Sequence, residues 1–350
     1  MKDSKRYVSA QPVITRAVLT LVVTGLALWL AFELRVLIVD LLMALTLASA
    51  IAPVSEWGEK RGTPRIVTVI GLYAAMALIY AAVAVFLAPV IWEQAVQLFQ
   101  HLPHYMSGLL DWYQQLIVMA GEQAEAVKLD MSNVQPAVLK LIRQTLDLTA
   151  GLLGLILNGI LVLFLTAYFV VEAKTIWPAL LRWVPPEHRL RAESLIVPLE
   201  NRLGGYVRGQ LLVSLAVSAF LCVGLTLLGI KYSLVLGVLA GLLNLMPFVG
   251  SMLTATFSVL VAANQSLLLG ALTVGLFAVE QWFESNLIVP HLLGSQVELH
   301  PVVVLFAILV GATIMGVLGA LVAVPVASAI LLLAEEFYVK PLNARAELSP

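Results

Sequence analysis

The sequence predicts an all-α fold: a polytopic transmembrane helical bundle with interrupted or re-entrant helices in its C-terminal half and an amphipathic extramembrane helical segment. Three observations carry that expectation. Of 350 residues, 61% are hydrophobic and only 12% charged, about half the charged share of an ordinary soluble domain, and the mean hydropathy is +0.98. Apolar runs of about 20 residues follow one another along most of the chain, the length a helix needs to cross a bilayer, whereas barrel strands would alternate apolar and polar residues. The run LLNLMPFVGSML at 242–253 carries residues that remove a backbone donor or loosen a helix.

Residues 1–91 read as three N-terminal transmembrane helices, with spans near 13–32, 36–53 and 66–91. Lys2, Lys5, Arg6 and Arg16 precede the first, and Lys60, Arg61 and Arg65 separate the second from the third. The positive-inside rule places both basic groups, and the N-terminus, in the cytoplasm. The basic start resembles a signal peptide, but no small-residue cleavage site follows, so it reads as a retained span. Residues 92–148 then form an extracytoplasmic amphipathic region: Val96, Phe99, Leu102, Met106, Leu109, Trp112 or Tyr113, and Leu116 recur every three or four positions. Such a helix lies on the bilayer or caps the bundle.

A fourth span at 149–171 returns to a basic cytoplasmic segment, 172–209, with Lys174, Arg182, Arg189, Arg191, Arg202 and Arg208. The C-terminal transmembrane core occupies 210–336 and a short tail 337–350. Within the core, the pieces on either side of PFVGS are short for full crossings, and a hairpin or re-entrant pair is the simplest reading. The long apolar run 302–333 is punctuated by Gly311, Gly316, Gly319 and Pro325. GVLAGLLNLMP (237–247) and GVLGALVAVP (316–325) both run small and apolar residues into a proline. The C-terminus is expected in the cytoplasm.

An interrupted helix inside hydrocarbon needs protein or a water-filled cavity to satisfy its freed backbone groups, and such breaks recur where transporters bind solutes. The transport path or coupling candidates are therefore Asn244, Pro247, Gly250 and Ser251 at the break. An interfacial turn with Asn244 bonded to a neighbour is the plainer alternative. Glu280 and Glu284 lie four apart on one helix face, where two carboxyls can share a proton and let a cation compete for it; a solvated helix end is the alternative. Asn286, Pro290, His300, Pro301 and Gly316 complete the set, with His300 more simply capping the element that follows.

Asp40, Arg208 and Gln210 are gate or anchor candidates. Asp40 stands a turn or so from Arg35, so pairing or snorkelling near the interface is favoured over coupling, and Arg208 reads as a topology anchor. Asn158, a single amide within a span, reads as an interhelical hydrogen bond. Enzyme chemistry is not expected: no catalytic, metal or cofactor site is legible. The single cysteine, Cys222, excludes a disulfide framework or a cysteine metal cluster. GLTLLGIK at 224–231 has Ile230 where a nucleotide-binding loop needs lysine. A net charge of −1 without a basic stripe argues against nucleic acid.

GYVRGQ (205–210), LMPFVGS (245–251) and ESNLIVPHLLGSQVELHPVVVLFAILVGATIMGVLGALVAVP (284–325), in that order on this layout of spans, resemble the autoinducer-2 exporter family of bacterial multi-pass membrane transport proteins. The resemblance implies an inner-membrane secondary carrier or facilitator. Some members are credited with exporting a small hydrophilic quorum-sensing signal, others with cation-proton antiport. It also implies homo-oligomers, pentamers in particular. The expected partners are membrane lipid, a small polar solute or monovalent cation, and further copies of the chain. A reading of another class, an oligomeric membrane scaffold or envelope-organising protein without transport, rests on the amphipathic region and the basic segment.

Overall fold

A computed structural model describes residues 11–86, 89–98, 100, 101, 105, 148–247, 249–294 and 299–347. Among these residues there is no strand. Five stretches, Arg35–Lys60, Leu157–Leu181, Pro186–Leu227, Leu267–Leu292 and Pro301–Asn343, are long and apolar enough to cross a membrane. The fold is an all-α polytopic membrane bundle.

The chain opens with α1 (Gln11–Glu33), α2 (Arg35–Lys60) and α3 (Arg65–Phe86). The turn after α2 closes through Gly62, which takes the left-handed φ of 82° that glycine adopts without steric cost, while Arg61 stacks on Trp57. Most of the amphipathic region lies outside the described residues, Trp112 included. Its first part is helical at 89–98, and there it caps the bundle. Leu98 and Tyr105 join the main core, Gln94 accepts a hydrogen bond from Val235 N, and Asn264 donates to the Tyr105 carbonyl.

Two long helices follow, α4 (Leu148–Leu181) and α5 (Pro186–Leu227). Nothing at 171 or 209 breaks a helix, so α4 runs on to Leu181 and α5 runs unbroken from the basic segment into the apolar core. The break falls instead at Pro185-Pro186, where Pro186 takes the first helical turn, the position where its missing donor costs nothing. Tyr73 Oη donates to Leu163 O at 2.9 Å and Arg65 to Val170 O at 3.3 Å, tying α3 to α4. A small core of Ala48, Val69 and Val170 joins α2, α3 and α4.

The main core belongs to α5 and the elements after it. α6 (Ser233–Leu243) turns back along α5, with Gly237 against the Cys222 backbone and Gly241 against Ser214 O and Ser218; two small residues one turn apart let the backbones meet. α7 (Val249–Gln265) and α8 (Leu267–Phe283) complete the hairpin and return. The Ser266 hydroxyl caps α8 by accepting from Leu269 N.

The stretch after Phe283 remains helical. A π-type turn at Glu284–Ile288 leads into α9 (Val289–Leu292). The last long element, α10 (Pro301–Ala334), holds non-helical backbone at Met315 and Gly316. A Cβ on Gly311 would lie 2.4 Å from Gly319 O, although eight positions of straight helix span about 12 Å. The run expected as one punctuated helix is thus a hairpin turning at Gly316, whose φ is 60°. Pro325 causes no comparable break. A final π-type turn, Glu335–Val339, precedes α11 (Lys340–Glu347). Arg191 pairs with Glu336 at 3.1 Å and Arg202 with Glu335 at 3.7 Å, so α10 ends beside the start of α5. The two hairpins therefore open at opposite ends of the bundle.

Candidate functional site: a buried polar cluster at a helix break

The break between α6 and α7 follows from Pro247. A helix continued through it would need a donor at 247 for the Leu243 carbonyl, and proline has none. Met246 N bonds that carbonyl instead, at 3.0 Å, tightening the last turn. Gly250 then packs so closely that a Cβ would lie 2.0 Å from Leu243 O. The break also frees the Asn244 carbonyl, and an unsatisfied carbonyl in hydrocarbon costs several kcal/mol, roughly. Gln210 of α5 supplies the missing donor: its Nε2 lies 2.6 Å from Asn244 O.

The Asn244 side chain faces α8. Its Nδ2 donates to Glu284 Oε1 at 3.0 Å, and its Oδ1 is buried without a donor. One turn back on the same face, Glu280 is 2% exposed and neither of its carboxyl oxygens meets a hydrogen-bond donor. The Glu284 carboxyl, four positions on, is itself 8% exposed. The structure thus joins Gln210, Asn244, Glu280 and Glu284 in one buried cluster. This is no solvated helix end, because α8 continues through the π-type turn and the carboxyls point into the core. Along α5 the cluster lies 17 residues before the helix ends at Leu227, about 26 Å of helix.

Buried hydroxyls stand on α7 and α8. On α7 Thr254 and Ser258 follow Ser251 at intervals of three and four, and on α8 Thr273 precedes Glu280 by seven; Thr254, Ser258 and Thr273 are fully buried. Sequence reasoning passed over these three, although their helical spacing from Ser251 and Glu280 is a usable signal.

The other candidates go elsewhere. Pro247 is half-buried in the break, and so is Ser251 on the first turn of α7. Asn286 is exposed and donates to Trp282 O at 2.9 Å; Pro290 is also exposed. Exposed His300 accepts from Val302 N, capping the helix that Pro301 opens. Gly316 is the exposed tip of the second hairpin. Asp40, placed near the interface with Arg35 as its neighbour, is instead 2% exposed and accepts from Asn158 Nδ2 at 3.1 Å. Arg35 turns back to the Phe32 carbonyl.

Arg208 holds a second proline break. Pro53 inside α2 leaves Ser49 O without its helical donor, and Arg208 Nη1 lies 3.2 Å from Ser49 O and 3.1 Å from Ala50 O. Gly204 permits this approach, since a Cβ there would lie 2.2 Å from Ser49 O. The stretch 204–210 thus joins α5 to two breaks, with Gly204 and Arg208 on α2, Gly209 against Leu292 and Leu293, and Gln210 on Asn244.

A profile described as "AI-2E family transporter" matches residues 18–338. The chain belongs to the AI-2E family. Among similar proteins are YrrI of Bacillus subtilis, 26% identical over 318 residues, 85% of this chain and 86% of YrrI; a Mycobacterium tuberculosis protein, 27% identical over 305 residues, 85% and 82% of the two chains; and PerM of Escherichia coli, 27% identical over 339 residues, 90% of each. All three are named as transport proteins or permeases by inference. This AI-2E family member is a membrane transporter, and its buried cluster lies inside the matched region.

Proposed function

We propose that the protein is a secondary carrier or facilitator that moves a small hydrophilic solute, such as a quorum-sensing signal, across the bacterial inner membrane. The observation that carries this reading is the Asn244–Glu284 hydrogen bond at a helix break, beside a Glu280 carboxyl without a donor. Carboxylate and carbonyl oxygens accept hydrogen bonds, so the cluster suits hydroxyl or amine hydrogens, or a cation. The nearby Arg208 is committed to α2 carbonyls, and an anionic solute finds no partner in the cluster. Both hairpins act as re-entrant elements, with N- and C-termini in the cytoplasm and the cluster nearer the cytoplasmic side. The chain works as a homo-oligomer, which native mass spectrometry in detergent checks; a pentameric mass is the expected result.

Cation-proton antiport is the second reading, favoured by the paired carboxyls. Purified protein in liposomes loaded with a pH dye, given a proton gradient and then Na⁺, K⁺ or Li⁺, separates the two. Cation-dependent proton movement lost in Glu284→Gln establishes antiport at this site. Uptake of labelled neutral polar metabolites without proton movement, lost in the same variant, establishes the solute carrier. If neither flux depends on Glu284, the cluster is not the transport site, and a scaffold role gains ground.

A further inference from the structure

A cavity of ≈ 570 Å³ lies between α2, α3, α4 and α5, apart from the polar cluster. It holds roughly the volume of twenty waters, but water needs two to four polar partners. Most of its wall is apolar, with Leu41, Leu45, Ala48, Phe169, Val170 and Ile196 among the lining residues. In a bilayer, the occupant suited to such walls is hydrocarbon. Along α2 the lining runs from Leu41 to Glu56, about 22 Å of helix, against about 15 Å for half of the hydrocarbon thickness. The shape is that of a slot for a chain.

The charges gather at one end: Glu56, Arg65, Lys174 and Glu200 also line the cavity. Arg65 and Lys174 are bridged by Glu59, with Arg65 Nε 2.9 Å from its Oε2. Trp177 Nε1 donates to Glu200 Oε1 at 2.8 Å. With Glu59 counted, three carboxylates stand against two cations at that end, a net charge of −1. That end therefore calls for a headgroup that brings an ammonium beside its phosphate, and a singly anionic headgroup would add to the excess of negative charge.

We propose that this cavity binds one phospholipid with a zwitterionic, amine-bearing headgroup. One acyl chain fills the slot, the phosphate meets Arg65 and Lys174, and the ammonium donates to Glu56 and Glu200. A primary ammonium has three donors for these carboxylates, and a quaternary one has none. The bound lipid would rest against Ser49 and Ala52, beside the Pro53 break that Arg208 holds, where it can stiffen or release the contact between α2 and α5. This site does not depend on the transport reading above.

The test uses delipidated full-length protein incubated with equal amounts of phosphatidylethanolamine, phosphatidylcholine and phosphatidylglycerol of the same chains, with retained lipid counted by native mass spectrometry. One phosphatidylethanolamine per chain is expected, retained at least several-fold over the other two. Ala173→Phe, which fills the slot, should abolish retention, and Glu56→Gln should erase the preference over phosphatidylcholine. Ala52→Leu serves the same purpose if Ala173→Phe fails to give wild-type elution and melting. Equal retention of the three lipids, or undiminished retention in a folded slot-filling variant, overturns the proposal. A change of oligomeric mass in that variant, with lipid retention untouched, overturns it too and makes a second copy the occupant.

Discussion

The two hairpins of the C-terminal half, 233–265 and 301–334, both reverse at small residues but differ at the tip. The first reverses around Asn244, which is 1% exposed, so every backbone group freed by Pro247 must find a partner inside the protein. The Asn244 carbonyl draws in Gln210, its side-chain amide meets Glu284, and a polar cluster results. The second reverses at Met315 and Gly316, between Ile314 and Val317 at 49% and 64% exposed, with its legs held by the mutual approach of Gly311 and Gly319. The comparison separates two properties that one sequence pattern carries. Small residues and proline fix where a chain turns back, and burial of the turn decides whether side-chain chemistry gathers there.

The largest effects come from breaking the turns themselves. Gly250→Val and Gly319→Val each place side-chain atoms against backbone, where even a Cβ would sit 2.0 Å from an oxygen. The loss should exceed the ~1–3 kcal/mol of ordinary overpacking. Both variants are expected to lose the monodisperse peak in size-exclusion chromatography. Wild-type melting of either would refute the close packing of that hairpin.

The next effect separates the two tips. Glu284→Gln keeps an acceptor for Asn244 but removes the carboxyl that can take a proton or a cation, so transport in liposomes should fall at least about tenfold, 1.4 kcal/mol or more. Thr313→Val in the second hairpin, where the hydroxyl only bonds back to Leu309 O, should leave flux within about twofold and stability within a few tenths of a kcal/mol. Equal losses in the two variants would mean that the polar cluster has no special part in transport.

Gln210→Leu acts on the first tip without touching a carboxyl. It leaves the buried Asn244 carbonyl without a donor, at a cost of about 1–3 kcal/mol, read as a lower melting temperature. Gln210→Glu should lower it as well, because the replacement brings an acceptor to an acceptor. An unchanged melt in both would show that the 2.6 Å contact does not hold the break.

Much of this was legible in the sequence. The succession of spans, the short pieces around PFVGS and the shared face of Glu280 and Glu284 follow from hydropathy and helical spacing. The partnership of Gln210 with Asn244 was not, since it depends on Gly237 and Gly241 laying α6 along α5, a contact across 34 positions. Arg208 had the same difficulty: its charge suggested an anchor, but its targets are two carbonyls of α2, one of them left without its helical donor by Pro53. The reversal of α10 was hidden because its glycines sit in an unbroken apolar run, where periodicity continues across the turn.

The smallest effect concerns Asp40, a buried carboxyl outside the cluster. It matches Glu280 in burial, each being 2% exposed, but accepts from Asn158 at 3.1 Å, whereas Glu280 has no donor. Interhelical hydrogen bonds in membranes contribute about 0.6 kcal/mol on average, with a maximum near 1.7. Asp40→Asn keeps an acceptor for Asn158 and should change neither flux nor melting measurably. Asp40→Leu should lower stability by about that bond and leave flux per folded protein intact. If Asp40→Asn instead abolished transport, partner satisfaction would not distinguish a structural carboxyl from a working one, and the transport path would have to extend to the α2–α4 contact.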